Sequence, residues 1–157
     1  MKVLIEVSLG SNIKYVLCKK TNQLKLEKIL HNTNKFPFNY GHITETLSPN
    51  GDPLDAIVIT NYSLIPGSLV DCKVLGGIET SDEKGLVDKI ILIPSDEIDP
   101  ISKYYNSLID FNKNILKQIN YFLEHYKDNE DNKYIIVKEF YEREEAIKRI
   151  RKYIIND

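Results

Sequence analysis

"NGDPLDAIVIT", residues 50–60, sets two carboxylates, Asp52 and Asp55, on a turn punctuated by Gly51 and Pro53, and then runs at once into the apolar segment 56–59. Pro53 fixes its own φ and pushes Asp52 toward an extended conformation, so the turn is stiff and both side chains take defined directions. The apolar run reads as a central strand. A hard cation such as Mg²⁺ takes one or two carboxylates and several waters, and a rigid acidic turn at the mouth of a buried strand supplies that. Asp, Asn, Gly and Pro are also the ordinary residues of a solvated hairpin turn, and on this stretch alone that reading is favoured.

Outward from it, "TSDEKGLVDK" (80–89) repeats the arrangement. Asp82, Glu83 and Asp88 lie around Gly85, just before a second apolar run, 90–93. In a barrel, two acidic turns that each feed a strand would converge on one end; outside one, they are unrelated surface loops.

The rest of the first 95 residues is strand-like. "VLIEVSL" (3–9), "KYVLCKK" (14–20) and "LKLEKIL" (24–30) are short extended segments separated by turn residues. "AIVITNY" (56–62) and "KIILIP" (89–94) are central strands, and "SLVDCKVLGGI" (68–78) alternates, with Gly76-Gly77 predicting a bulge or bend. The last third changes period. Phe111, Ile115, Ile119, Phe122 and Tyr126 predict a helix over 111–127, with Lys113, Lys117 and Glu124 outward. "KYIIVKEFY" (133–141) is one more strand, and 142–155 a second helix with Ala146, Ile147, Ile150 and Ile154 inward. The expected fold is α+β and mainly β: a closed or nearly closed barrel with helices packed outside.

The totals agree. A chain of 157 residues suits a single domain, 1–157, and 42% apolar with 28% charged residues is an ordinary soluble composition. No run of about 18 apolar residues is present, so no membrane span is expected, and "MKVLIEVSLG" reads as a first strand rather than a signal peptide. Cys18 and Cys72 lie in strand-like segments and read as buried, reduced thiols, which suits a cytoplasmic protein. A net charge of −2 argues against a nucleic-acid partner. His31, His42 and His125 have no zinc-type spacing.

Cations and phenols complete the set. Glu6 and Lys14 sit on strands; Lys28, Lys89 and Lys127 each adjoin an apolar segment; Tyr40 lies in "FPFNYGHI" and Tyr126 in "LEHYKD". A single lysine is usually just solvated, and Tyr126-Lys127 also reads as the C-terminal cap of its helix. Carboxylates holding Mg²⁺ opposite lysines and tyrosines suit a polyphosphate, whose charge metals and ammonium groups share.

Taken in order, "FPFNYGHI", "GDPLDAIV", "IPGSLVDCKVLGGI", "KIILIP", "YFLEHYKD" and the late "REEAI" resemble the soluble inorganic pyrophosphatases, in their short prokaryotic form, over nearly the whole chain. The resemblance implies a five-stranded OB-like closed barrel with flanking C-terminal helices, a homo-hexamer, and Mg²⁺-dependent hydrolysis of pyrophosphate, with Mn²⁺ as an alternative ion. It implies that Asp55 bridges the metals that activate water and that Asp52 orients that water or takes its proton. Tyr40 is then placed near the nucleophile, Asp82 and Glu6 on metals that arrive with substrate, and Lys14, Lys28, Lys89, Tyr126 and Lys127 on the phosphates.

Four positions depart from the family pattern. Asn50 and Val87 stand where it has aspartates of the tightest metal, Val16 where it has Glu, and Lys28 where it has Arg. Lys28 keeps the charge without the bidentate fork. Asn50 is then a neutral ligand, and Asp88, one residue from Val87, is the candidate replacement. On a strand, a one-residue slip faces the opposite side. The alternative reading is a pyrophosphatase-like protein that binds pyrophosphate or a nucleotide with impaired turnover. Asn50-Gly51 also invites deamidation, which would create the absent acid.

Overall fold

The computed structural model describes residues 1–31 and 35–155. Eight strands and two α-helices are present among them: β1 (Lys2–Val7), β2 (Ile13–Cys18), β3 (Gln23–Ile29), β4 (Asn39–Ile43), β5 (Asp55–Val58), β6 (Leu69–Asp82), β7 (Gly85–Pro94), α1 (Lys113–His125), β8 (Ile135–Glu142) and α2 (Arg143–Tyr153). Two short 3₁₀ turns, Pro100–Tyr104 and Leu108–Asp110, lead into α1.

The sheet runs β1-β4-β5-β7-β6-β8, and β1 also pairs with β6. That extra pairing closes β1, β4, β5, β7 and β6 into the expected ring of five strands. All five contribute to one apolar cluster, through Val3 and Ile5, Ile43, Ala56 and Val58, Ile90 and Leu92, and Val70, Cys72 and Val74; α2 adds Ala146 and Ile150. The alternate residues Ile57, Ile91 and Ile93 join a second cluster under α1, with Ile119, Phe122 and Leu123. β5 and β7 are thus buried on both faces, which is why their sequences read as unbroken apolar runs. No described helix is long and apolar enough to cross a membrane.

β6 departs from regular register between Val74 and Gly76, as the glycine pair predicts. A Cβ on Gly77 would lie 2.5 Å from the ring of Tyr141 on the neighbouring β8, so the bend needs a residue without a side chain.

One strand adds to the expected set and three expectations change. "FPFNYGHI" contains the added strand, β4, of the ring. β6 continues to Asp82 and β7 starts at Gly85, so the second acidic turn is the tip of a long hairpin. Ile154 lies beyond α2 in an isolated bridge with Thr46 and is 39% exposed, so it is not an inner-face residue. Cys72 is buried as expected, but Cys18 lies only partly covered at the end of the β2–β3 hairpin, a separate two-stranded sheet.

Candidate active site

Asp55 opens β5, and the parallel register of β5 with β7 puts it directly beside Lys89. The Lys89 ammonium donates to Asp55 Oδ2 at 2.8 Å and to the Tyr40 phenol oxygen at 2.8 Å. Lys89 is buried, at 4% exposure. Burial alone would push its pKa down, but the Asp55 carboxylate outweighs this and holds it up. Burial likewise works against the charge on Asp55, yet Lys89 and the Tyr40 phenol hold its carboxyl below the ordinary range. Tyr40 is pushed well above its usual value by burial and then by the Asp55 charge, so it stays protonated. Three strands therefore fix an anion, a cation and a phenol at the floor of a cleft of about 810 Å³.

The other expected cations line the same cleft. Lys14 on β2 lies 3.7 Å from Glu27. Lys28 on β3 donates to Glu130, which follows α1. Tyr126 caps the C-terminus of α1 and stacks on Phe122, with ring centroids 5.2 Å apart and planes at 8°. Lys127 extends from that helix end to within 3.9 Å of Asp82. The cap and the cleft are thus one arrangement, because the helix end aims both residues inward. Burial lowers the Lys127 pKa.

The turn of residues 48–53 forms the rim. Asn50 Oδ1 accepts from the Ser48 hydroxyl and from the Asp52 N–H at 3.0 Å. Gly51 adopts φ +90°, where a side chain is strained. Asn50 is therefore a turn-closing residue whose oxygen is already engaged, and Asp52 projects exposed beside it. An acid would close this turn as well as the amide does.

Two expected ligands are engaged by other side chains. Asp88, next to Lys89 on β7, points away from it but also lines the cleft. Its carboxylate accepts from Arg149 of α2 at 2.7 Å and from the Tyr141 hydroxyl at 2.9 Å. Asp88 thus lines the cleft already paired, in a cluster with Glu79, Glu145 and Arg149, which line it as well. Glu6 is buried, does not line the cleft, and lies 3.4 Å from His42 Nδ1. Val87 does line it. Among the described residues, no three His, Cys, Asp or Glu side chains are gathered as a metal site.

Sequence reasoning passed over Glu130, Lys133 and Arg149, which all line the cleft. Glu130 and Lys133 carried a faint signal, lying three and six residues after Lys127 on the same post-helix turn. Arg149 carried none, since its partner acids Glu79 and Asp88 come from other strands.

A family model described as inorganic pyrophosphatase matches residues 3–156. The chain is 40% identical over 152 residues to an inorganic pyrophosphatase of Helicobacter pylori, covering 97% of this chain and 88% of the relative. It is 43% identical over 147 residues to one of Nanoarchaeum equitans, covering 94% and 91%. A solved inorganic pyrophosphatase of Helicobacter pylori superposes with a TM-score of 0.95 at 40% identity, over 98% of this chain and 91% of that one.

Proposed function

The chain belongs to the inorganic pyrophosphatase family, hydrolases of pyrophosphate, and from that premise we propose that its cleft splits pyrophosphate into two phosphates with a divalent cation, Mg²⁺ or Mn²⁺, bound through a weakened first-metal position. The observation that carries the reading is the buried Lys89–Asp55–Tyr40 group in a cleft that Lys14, Lys28, Lys127 and Tyr126 also line. Such a set offers spread positive charge to a diphosphate and keeps one carboxylate ionised beside it.

The donors fit a cation of this kind without forming a closed cage. Mg²⁺ is commonly bound by one or two carboxylates together with substrate phosphates, and Asp55 is the charged ligand at the first-metal position, with Asp82 and Asp88 among the other carboxylates that line the cleft. The other two first-metal positions are apolar Val87 and the engaged amide of Asn50. These residues would therefore hold a cation more firmly together with the diphosphate than alone. When bound, it neutralises phosphate charge and acidifies water.

The residues divide the remaining work. Lys89 orients Asp55 and, with the Tyr40 phenol, keeps it ionised. Asp52, exposed on its stiff turn, accepts the proton of the attacking water. Lys14, Lys28 and Lys127 bind the phosphate oxygens, and Tyr126 bounds the pocket. Tyr40, protonated at neutral pH, is a hydrogen-bond donor at the cleft floor. The assembly we propose is the family's homo-hexamer, which light scattering tests.

The experiment is phosphate release from pyrophosphate, titrated with Mg²⁺ and in parallel with Mn²⁺. Turnover that saturates only at high metal and disappears in Asp55→Asn supports the reading. Folded protein that releases no phosphate at any metal concentration overturns it, and favours the second reading, a pyrophosphate-binding protein. That second reading draws on Asn50 and Val87 and on the lack of a three-acid group among the described residues.

A further inference from the structure

Glu130 sits among the cleft lysines and has no part in the chemistry above. Lys28 Nζ donates to Glu130 Oε1, and Lys133 Nζ lies 3.6 Å from the same oxygen. The Glu130 side chain is 19% exposed. Burial works to raise its carboxyl, but the Lys28 bond and the charges of Lys28, Lys133 and Lys127 outweigh it, so Glu130 is held below the ordinary range. Lys28 in turn is held up, first by the Glu130 bond.

The backbone makes this seating definite. The Glu130 N–H donates to the Lys127 carbonyl at 3.0 Å, so the acid and the expected phosphate-binding Lys127 share one turn. Asn129 Nδ2 donates to the His31 carbonyl at 2.8 Å, tying that turn to the chain just beyond β3, the strand that carries Lys28. Cleft wall and helix end are joined twice, by a neutral bond and by an ion pair. The neutral bond can hold the wall while the ion pair exchanges.

A carboxylate oxygen and a phosphate oxygen ask the same thing of a lysine, a charge-assisted donor. We propose that Glu130 is a built-in competitor for phosphate: it occupies Lys28 and Lys133 in the free protein, yields them to an entering phosphate oxygen, and reclaims them as product leaves. The proposal rests on the reading that the cleft takes pyrophosphate. It makes Glu130 a residue that sets affinity and product release without taking part in bond cleavage. The lysine at 28 suits the role, because a single ammonium exchanges one anion for another without breaking a bidentate fork.

The test is calorimetric binding of inorganic phosphate, and separately of pyrophosphate, to wild type and Glu130→Gln. Asp71→Asn, an exposed acid on β6 paired with Lys2, controls for the change in net charge. Glu130→Gln is expected to bind phosphate about fivefold more tightly, the scale of a partly screened ion pair, with Asp71→Asn unchanged. In the Lys28→Met background the same substitution is expected to give no such gain. Product inhibition by phosphate strengthens in parallel, and KM and kcat both fall. Equal or weaker phosphate binding by folded Glu130→Gln overturns the competitor role and makes Glu130 a residue that merely positions Lys28. Wild type that binds neither anion overturns the pyrophosphate reading itself, and the competitor with it.

Discussion

Lys89 Nζ and Asp55 Oδ2 lie 2.8 Å apart across the parallel pairing of β5 and β7. Removing the cation strands a carboxylate against a buried phenol. Lys89→Met is expected to cost about 3 kcal/mol of unfolding free energy, the lower end for breaking a buried pair because Asp55 opens to the cleft. Urea denaturation measures the stability, and phosphate release is expected to fall in the same variant.

The same pair sets a pH window. Asp55 has a depressed pKa in the folded state, so its contribution is present above the unfolded carboxylate value, about 4, and is lost as pH falls through the lower folded value. Lys89 has a raised pKa, so its share is present below about pH 10 and is lost as pH rises through the folded value. Asp55→Asn is therefore expected to be less stable than wild type at pH 7. The gap should narrow as pH falls below about 4. A gap that persists undiminished in acid would show that the charge on Asp55 contributes nothing to stability.

Arg149 faces three carboxylates, Glu79, Asp88 and Glu145. Arg149→Met leaves them without their cation and is expected to destabilise by about 2 kcal/mol, discounted for partial exposure. Asp88→Asn is expected to destabilise less and to leave the Mg²⁺ concentration for half-maximal turnover unchanged. A several-fold rise in that concentration would place Asp88 at the metal site.

Val87 lines the cleft two residues before Lys89, and Asn50 closes the rim. The double variant Asn50→Asp/Val87→Asp adds two anions where cation affinity depends on ligand charge. It is expected to lower half-saturating Mg²⁺ by on the order of tenfold or more. Mn²⁺ calorimetry without pyrophosphate should then show a site that wild type lacks.

Asn50-Gly51 is a deamidation sequence, but the Gly51 N–H donates to the Ser48 carbonyl at 3.0 Å and the Asn50 side chain is engaged. The nitrogen that must attack the amide is tied down. Peptide mapping of aged, folded protein is expected to find Asn50 intact, while unfolded protein deamidates there.

Periodicity carried the barrel strands, because β5 and β7 bury both faces and leave unbroken apolar runs. β4 escaped because its short span follows Pro37 and includes Asn39 and Gly41. Asn39 is a buried strand residue whose side chain accepts from the N–H groups of Leu9 and Leu64 and donates to the Tyr62 carbonyl. Only the fold supplies those partners. Asp55, Lys89 and Tyr40 were legible as chemistry through the family resemblance, but their mutual contact comes from strand pairing. The pairing of Asp88 was not legible, because Arg149 is 61 positions away. Glu130 was overlooked because an acid in a polar turn looks solvated until Lys28 is brought across to it.

The ring closes through β1, whose Lys2 pairs with Asp71 and Leu4 with Leu69. The earliest of the ring strands therefore waits for a partner some 65 residues later before it has both neighbours. Until then its apolar residues have one edge free to meet another nascent chain. Assembly dominated by such distant pairings is slow, so refolding from urea should be rate-limited by ring closure and its yield should drop as protein concentration rises.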